Sequence, residues 1–195
     1  SGGDSGEKAA EGGGSSAKTE SADGKHLNFG CYVYSTSYDP AEYQNAAWDG
    51  TRHGITEGLF KFKDDLTVDY NLCDGYEVSD DNKTWTFHIR DGVKFSNGND
   101  CSAQAVADSL NRLYTVCATD KKSSTPETYL QMESITADAD ANTVTIVTSE
   151  SYADITSILC FPFYTIIDVE GDITDAEHDY TADSTSVIGT GPYVI

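Results

Sequence analysis

Residues 75–89 constrain what this chain can fold into more than any other stretch. Gly75-Tyr76-Glu77-Val78-Ser79 and Thr84-Trp85-Thr86-Phe87-His88-Ile89 are two runs suited to extended backbone, and Asp80-Asp81-Asn82-Lys83 between them is turn-forming. Alternation with period two puts Trp85, Phe87 and Ile89 on one face and Thr84, Thr86 and His88 on the other, which predicts a β-hairpin with one buried face. Trp85 has a ring that can stack on a ligand, but on an apolar strand face it is expected in the core. His88, on the polar face, is expected to be exposed.

Other segments place helices and strands around that hairpin. Leu27, Phe29, Cys31 and Val33 alternate as in a strand. Asp39-Pro40 supplies a cap and a first-turn proline for a helix over 41–53, with Gly54 near its end. Leu59, Phe60 and Phe62 resume an extended run. Ser102 caps a second helix reaching about Tyr114, because Ala103, Val106, Ala107, Leu110, Leu113 and Tyr114 share one helical face. A short helix is expected over 127–132 and a second hairpin from 134–138 and 143–148. Helix is expected over 152–160, with Pro162 just beyond it, and extended chain over 163–169. A turn leading into a strand is expected over 189–195. This interleaving predicts a mixed α/β or α+β unit.

The first 24 residues are half Gly or Ser and contain no aromatic or large aliphatic residue. They cannot bury enough surface to offset the entropy of ordering, so residues 1–26 are read as a disordered Gly/Ser-rich tether, with an end-to-end span of roughly 25–30 Å. A tether at this end has a use if a lipid on a preceding Cys anchors it. No run of the sequence approaches the roughly 18 apolar residues that a spanning helix needs. The 33 acidic residues outnumber the 12 Lys and Arg, for a formal charge of −21. Such a surface repels nucleic acid and anionic lipid; its scattered carboxylates serve solubility, or attract cationic ligands such as peptide ammonium groups.

Five cysteines, Cys31, Cys73, Cys101, Cys117 and Cys160, are an odd number with no CxxC pair, and the four histidines lie apart. A metal site is therefore not expected, and most of the thiols read as small core residues; one bridge, Cys101 to Cys117, is left open. No nucleophile elbow, phosphate loop, HExxH helix or EF-hand loop occurs. Gly189-Thr190-Gly191 is followed by Pro192 and strand-forming residues rather than by a helix whose amides could hold phosphate. Asp64-Asp65, Asp80-Asp81 and Asp138/Asp140 sit in turns, where Asp bonds nearby amides. Neither catalytic residues nor a cofactor are expected. Tyr34, Ser35, Thr36, Ser37 and Tyr38 lie between a strand and a helix and offer rings with polar tips. They read equally as a ligand-binding loop and as a packed loop.

The run from Asp74 to Gly98, centred on Trp85-Thr86-Phe87-His88-Ile89-Arg90-Asp91-Gly92-Val93-Lys94-Phe95, closely resembles a signature of the family 5 extracellular solute-binding proteins. That family includes the oligopeptide-, dipeptide- and nickel-binding proteins of ABC importers. Glu57-Gly58-Leu59-Phe60, Ser102-Ala103 through Val106 to Ser109-Leu110-Asn111-Arg112, Asn142-Thr143-Val144-Thr145-Ile146 and Gly189-Thr190-Gly191-Pro192-Tyr193 match in the family's order, over about residues 27–195. Asn71-Leu72-Cys73-Asp74 and Gln104-Ala105 depart from it in scaffold positions.

The resemblance implies a type II periplasmic-binding-protein-like fold, present here only in part: residues 27–50 as the start of the first lobe, 51–180 as an inserted subdomain, and 181–195 as the return strand. The second lobe, which in the family's peptide binders pairs with the peptide amino terminus, is not among these residues. The implied activity is capture rather than conversion: two lobes close on a short peptide or similar small solute and deliver it to ABC permease membrane subunits. The implied location is the extracellular face of the membrane, through a lipid anchor, or the periplasm. Nickel chelates, haem, sugars or opines are other cargoes of this kind. The resemblance places Tyr34–Tyr38 and the surroundings of Tyr129 at cleft-lining positions. A surface carbohydrate-interaction or adhesion module and a hydrolase fragment are the readings from other classes.

Overall fold

The computed structural model describes residues 30, 37–42, 44–120, 126–169 and 187–194, with the side chains of 44, 119 and 120 excepted. The chain divides into 1–32 and 33–195. Only Gly30 of the first unit is described, so the tether, the strand expected near 27–33 and Tyr34, Ser35 and Thr36 lie outside the described residues.

The alternation in 75–89 produces the expected hairpin. Strand β3 (Cys73–Val78) pairs antiparallel with β4 (Thr84–Ile89), and the four-stranded sheet is completed by β6 (Thr143–Thr148) and β5 (Met132–Asp138) in the order β3-β4-β6-β5. Trp85 lies opposite Ile146 and Phe87 opposite Val144, and Ile135 meets Ile146 from the other side. All five are buried. At about 1.5–3 kcal/mol for each fully buried large apolar side chain, this face is the main reason the sheet holds together. On the opposite face Thr86 and Thr145 share a hydroxyl hydrogen bond of 3.2 Å.

The turns are fixed by their own side chains. Asp81 Oδ1 accepts from Lys83 N–H at 3.1 Å, and Asn82 takes the left-handed φ of 55° that asparagine tolerates. At the other hairpin Asp138 Oδ1 accepts from Asp140 N–H and Ala141 N–H. The adjacent Asn142 joins three elements. Its side chain accepts from Ala103 N–H at 2.9 Å, capping the following helix, and donates to the Ile89 carbonyl at 2.9 Å.

That helix, α2 (Ala103–Asp120), lies across β5 and β6. Its expected apolar face continues past Tyr114 to the buried Cys117, so the helix outruns the expected boundary. Helix α1 (Gln44–Arg52) begins after a turn at 39–42 and is shorter than the expected 41–53. Strands β1 (Phe60–Phe62) and β2 (Val68–Tyr70) form a separate hairpin; β2 has no counterpart among the expected elements. The four-residue α3 (Pro126–Tyr129) ends before Met132, which opens β5 instead of closing a helix.

The elements expected over 152–160 and 163–169 do not form, and neither does the Cys101–Cys117 bridge that the sequence leaves open. No helix spans 152–160: Asp154 Oδ1 accepts from Thr156 N–H at 2.8 Å, making a local turn, and only a 3-10 turn at Ile158–Cys160 follows. Residues 163–169 are not one extended run, because Pro162 opens a second 3-10 turn, Pro162–Tyr164; beyond it Ile166 bridges to Glu57. Cys101 and Cys117 form no disulfide. They flank most of α2, whose rise separates them by roughly 20 Å, whereas a bridge needs Cα atoms within about 7 Å. Cys73 and Cys160 form none either.

A second region gathers four segments distant in sequence: 37–42, 54–59, 165–168 and 187–193. Arg112 of α2 donates two hydrogen bonds to the carboxylate of Asp39, at 3.0 and 2.7 Å, with the Asp39 side chain 2 % exposed. Asp168, also buried, accepts from Asn97 and Asn99 at 2.7 and 2.8 Å. Ser109 of α2 accepts from Ile167 N–H at 3.0 Å. The returning segment forms no strand at 187–194. Its backbone instead crosses residues 54–56, with Gly191 N–H donating to the Ile55 carbonyl and Tyr193 N–H to the Gly54 carbonyl. A Cβ on Gly189 would lie 2.0 Å from the Ile55 oxygen, and one on Gly191 2.1 Å from the Gly54 oxygen. The Gly-Thr-Gly motif is thus required for close backbone crossing.

Candidate functional site

Three segments of the crossing region, 54–59, 165–168 and 187–193, border an open cavity of about 400 Å³. Helix α1 contributes Trp48, because its buried Ala46, Ala47 and Asp49 turn the indole toward the rim. Strand β1 contributes Lys61 and Phe62, and the segment before it Glu57. Cys160, Phe161 and Pro162, from the two 3-10 turns, form part of the facing wall. Asn71 completes the polar set.

Two of the polar groups are held by neighbours. Glu57 Oε2 accepts from the Thr190 hydroxyl at 2.8 Å, so the returning segment fixes the carboxylate. Asn71 Nδ2 donates to the Gly58 carbonyl at 3.2 Å, leaving its oxygen as the free acceptor of that contact. Arg52 lies over the Trp48 ring at 5.3 Å, adding positive charge at the rim. Lys61 forms no ion pair among the described residues. The Cys160 thiol donates to the Thr156 carbonyl at 3.4 Å, and burial, with Asp154 adding to it, pushes its pKa up to about 11. It is a neutral thiol at pH 7, a packing group rather than a nucleophile. Aromatic walls with one carboxylate, one ammonium and one amide can hold a small dipolar molecule.

The residues chosen from the sequence fall elsewhere. Ser37 and Tyr38 are buried: Ser37 Oγ accepts from Asp39 N–H at 3.1 Å, and the Tyr38 hydroxyl shares a hydrogen bond of 2.9 Å with His53 Nδ1. Both polar tips are engaged within the chain, and neither residue lines the cavity. Tyr129 is 45 % exposed and stacks on Phe161, so it touches the wall without lining it. Sequence reasoning missed Trp48, Glu57, Lys61, Asn71 and Phe161. The available signal is Glu57-Gly58, which opens one of the segments of the ordered motif set.

The model of the bacterial extracellular solute-binding proteins, family 5 (middle) matches residues 67–195. The nickel-binding protein NikA of Staphylococcus aureus is 31 % identical over 172 residues, covering 88 % of this chain and 31 % of that protein. The glutathione-binding protein GsiB of Salmonella typhimurium is 30 % identical over 165 residues, covering 81 % and 29 %. The crystal structure of S. aureus NikA in complex with Ni(L-His)2 superimposes with a TM-score of 0.64 at 31 % identity, over 82 % of this chain and 30 % of that one. A nickel ABC transporter structure from Bacillus halodurans gives 0.65 at 30 % identity, over 83 % and 30 %. The chain spans about three tenths of the length of the curated relatives it matches. Its mixed α/β fold is that of part of a type II periplasmic-binding-protein-like structure. Members of this family are the periplasmic or extracellular solute-binding components of ABC importers rather than enzymes. With the match extending over 67–195, the chain belongs to the bacterial extracellular solute-binding proteins of family 5.

Proposed function

We propose that this chain is part of a binding component that captures short peptides by two-lobe closure and delivers them to ABC permease membrane subunits, without chemical conversion. The observation that carries the peptide reading is the cavity: Glu57 suits an ammonium, Lys61 a carboxylate and Asn71 an amide, between the apolar walls of Trp48, Phe62 and Phe161. Glutathione, which the relative GsiB is named for binding, is itself a peptide. In this reading residues 27–50 and 181–195 belong to the first lobe and 51–180 to the inserted subdomain. The tether composition of 1–26 supports a position on the extracellular face of the membrane through a lipid anchor, or in the periplasm.

A nickel chelate is the second reading, favoured by the 31 % identity to NikA. Mass spectrometry of solutes that co-purify with the longer protein carrying this chain separates the two. Short peptides support the proposal; a nickel–histidine complex replaces the cargo. A peptide hydrolysed on incubation overturns capture without conversion. With closure by a second lobe as the mechanism, the 195-residue chain by itself binds peptide only in the millimolar range, and calorimetry showing micromolar affinity would contradict that mechanism.

A further inference from the structure

Three aromatic rings, Tyr129, Phe161 and Phe163, form a three-cornered cluster beside the cavity wall. Phe161 and Phe163 are parallel within 1°, with centroids 5.7 Å apart. Tyr129 lies 5.5 Å from Phe161 at 27° and 5.7 Å from Phe163 at 29°. Phe163 is buried and meets Tyr164 edge-on at 4.8 Å. The Tyr164 hydroxyl donates to the Pro126 carbonyl at 2.7 Å, and Pro126 opens the short helix that carries Tyr129. That bond ties the segment carrying Phe163 to the one carrying Tyr129, and Phe161 is the member of the cluster that lines the cavity.

We propose that Phe161 is an aromatic platform that selects peptides with an aromatic side chain, and that Tyr129 and Phe163 are positioning residues that hold its ring. The proposal rests on the peptide reading above. A ring already held by two neighbours gives up little further freedom when a ligand stacks on it, so the stacking energy is retained as selectivity. Glu57 and Lys61 remain for the charged ends of the same ligand. A stacked aromatic pair corresponds to a preference of roughly 2- to 10-fold over an aliphatic side chain of similar size.

Ligand-observed NMR on the 195-residue chain, with Ala-Phe and Ala-Leu dipeptides at millimolar concentration, tests this. Ala-Phe is expected to bind more tightly by that factor, with its ring protons shifted upfield by the ring current of Phe161. Phe161→Leu abolishes the upfield shift and brings the Ala-Phe affinity down to that of Ala-Leu for the same variant; should that variant not fold, Phe161→Met supplies the same comparison. Tyr129→Leu weakens the preference, and Tyr129→Phe restores it. Equal affinities in the unmodified chain, or a preference that survives loss of the Phe161 ring, overturn this proposal and leave the peptide reading standing. Failure of both dipeptides to bind overturns the platform, while the solutes that co-purify with the longer protein decide the peptide reading separately.

Discussion

The sheet under α2 and the crossing of 37–42, 54–59, 165–168 and 187–193 are built on different principles. In the sheet, order comes from apolar side chains at regular spacing: Trp85, Phe87 and Ile89 on β4 and Val144 and Ile146 on β6 share one buried face. At the crossing, order comes from polar groups that find partners far away in sequence, Asp39 with Arg112 and Asp168 with Asn97 and Asn99. The first kind of region tolerates exchange of one apolar residue for another of similar volume. The second does not, because removing one partner strands the other in a medium that solvates it poorly.

Truncation tests the sheet side of this contrast most strongly. Phe87→Ala, at a fully buried position, is expected to lower stability by about 3–5 kcal/mol, read as a shift in the urea midpoint; Phe87→Leu should recover most of it. Next comes Asp39→Ala, which leaves the Arg112 guanidinium buried without its carboxylate and is expected to cost about 3 kcal/mol. The double variant Asp39→Ala/Arg112→Leu should be more stable than the single one. If it is not, the crossing is held by packing and the contrast collapses. Gly191→Ala is third. Its Cβ meets a backbone oxygen that no rotamer change can move, and the expected loss is about 1–3 kcal/mol.

The smallest effect belongs to the exposed face of the sheet. The hydrogen bond that the His88 imidazolium donates to the Asp74 carboxylate raises the pKa of His88 above its ordinary 6.5, with the charges of Asp74 and Asp91 adding to it. A raised folded-state value contributes stability that is fully present below the unfolded histidine pKa and is lost as pH rises through the folded one. Asp74→Asn should bring the His88 titration, followed by NMR, down toward its ordinary value. Because the pair is solvent-exposed, the urea midpoint should barely change with pH across that range.

How much of this was legible in the sequence follows the same division. Both hairpins of the sheet and the core face of α2 could be read because alternation and helical spacing are local patterns. The 152–160 segment misled because the buried Ile155 and Leu159 sit four residues apart as in a helix, while Asp154 captures the backbone of Thr156 first. The strand expected over 189–195 misled because Tyr193 and Val194 have strand propensity, yet among the described residues they join no sheet, and Gly191 and Tyr193 bond instead to the 55 and 54 carbonyls. The cavity was invisible for a related reason. Trp48, Glu57 and Phe161 meet only in the folded chain, and no local pattern marks Trp48 or Phe161. The tyrosines that stood out by composition are spoken for: Tyr38 by His53 and Tyr129 by Phe161 and Phe163.

The bare crossing of backbones at Gly189 and Gly191 carries a consequence at the level of the gene. Every first- or second-position base change in a glycine codon introduces a side chain or a stop, and only third-position changes are silent. These two codons therefore accept synonymous drift alone, so variants recovered from random mutagenesis of this segment should be depleted at 189 and 191 while Thr190 between them, whose side chain points to Glu57, varies within the small hydroxyl-bearing residues.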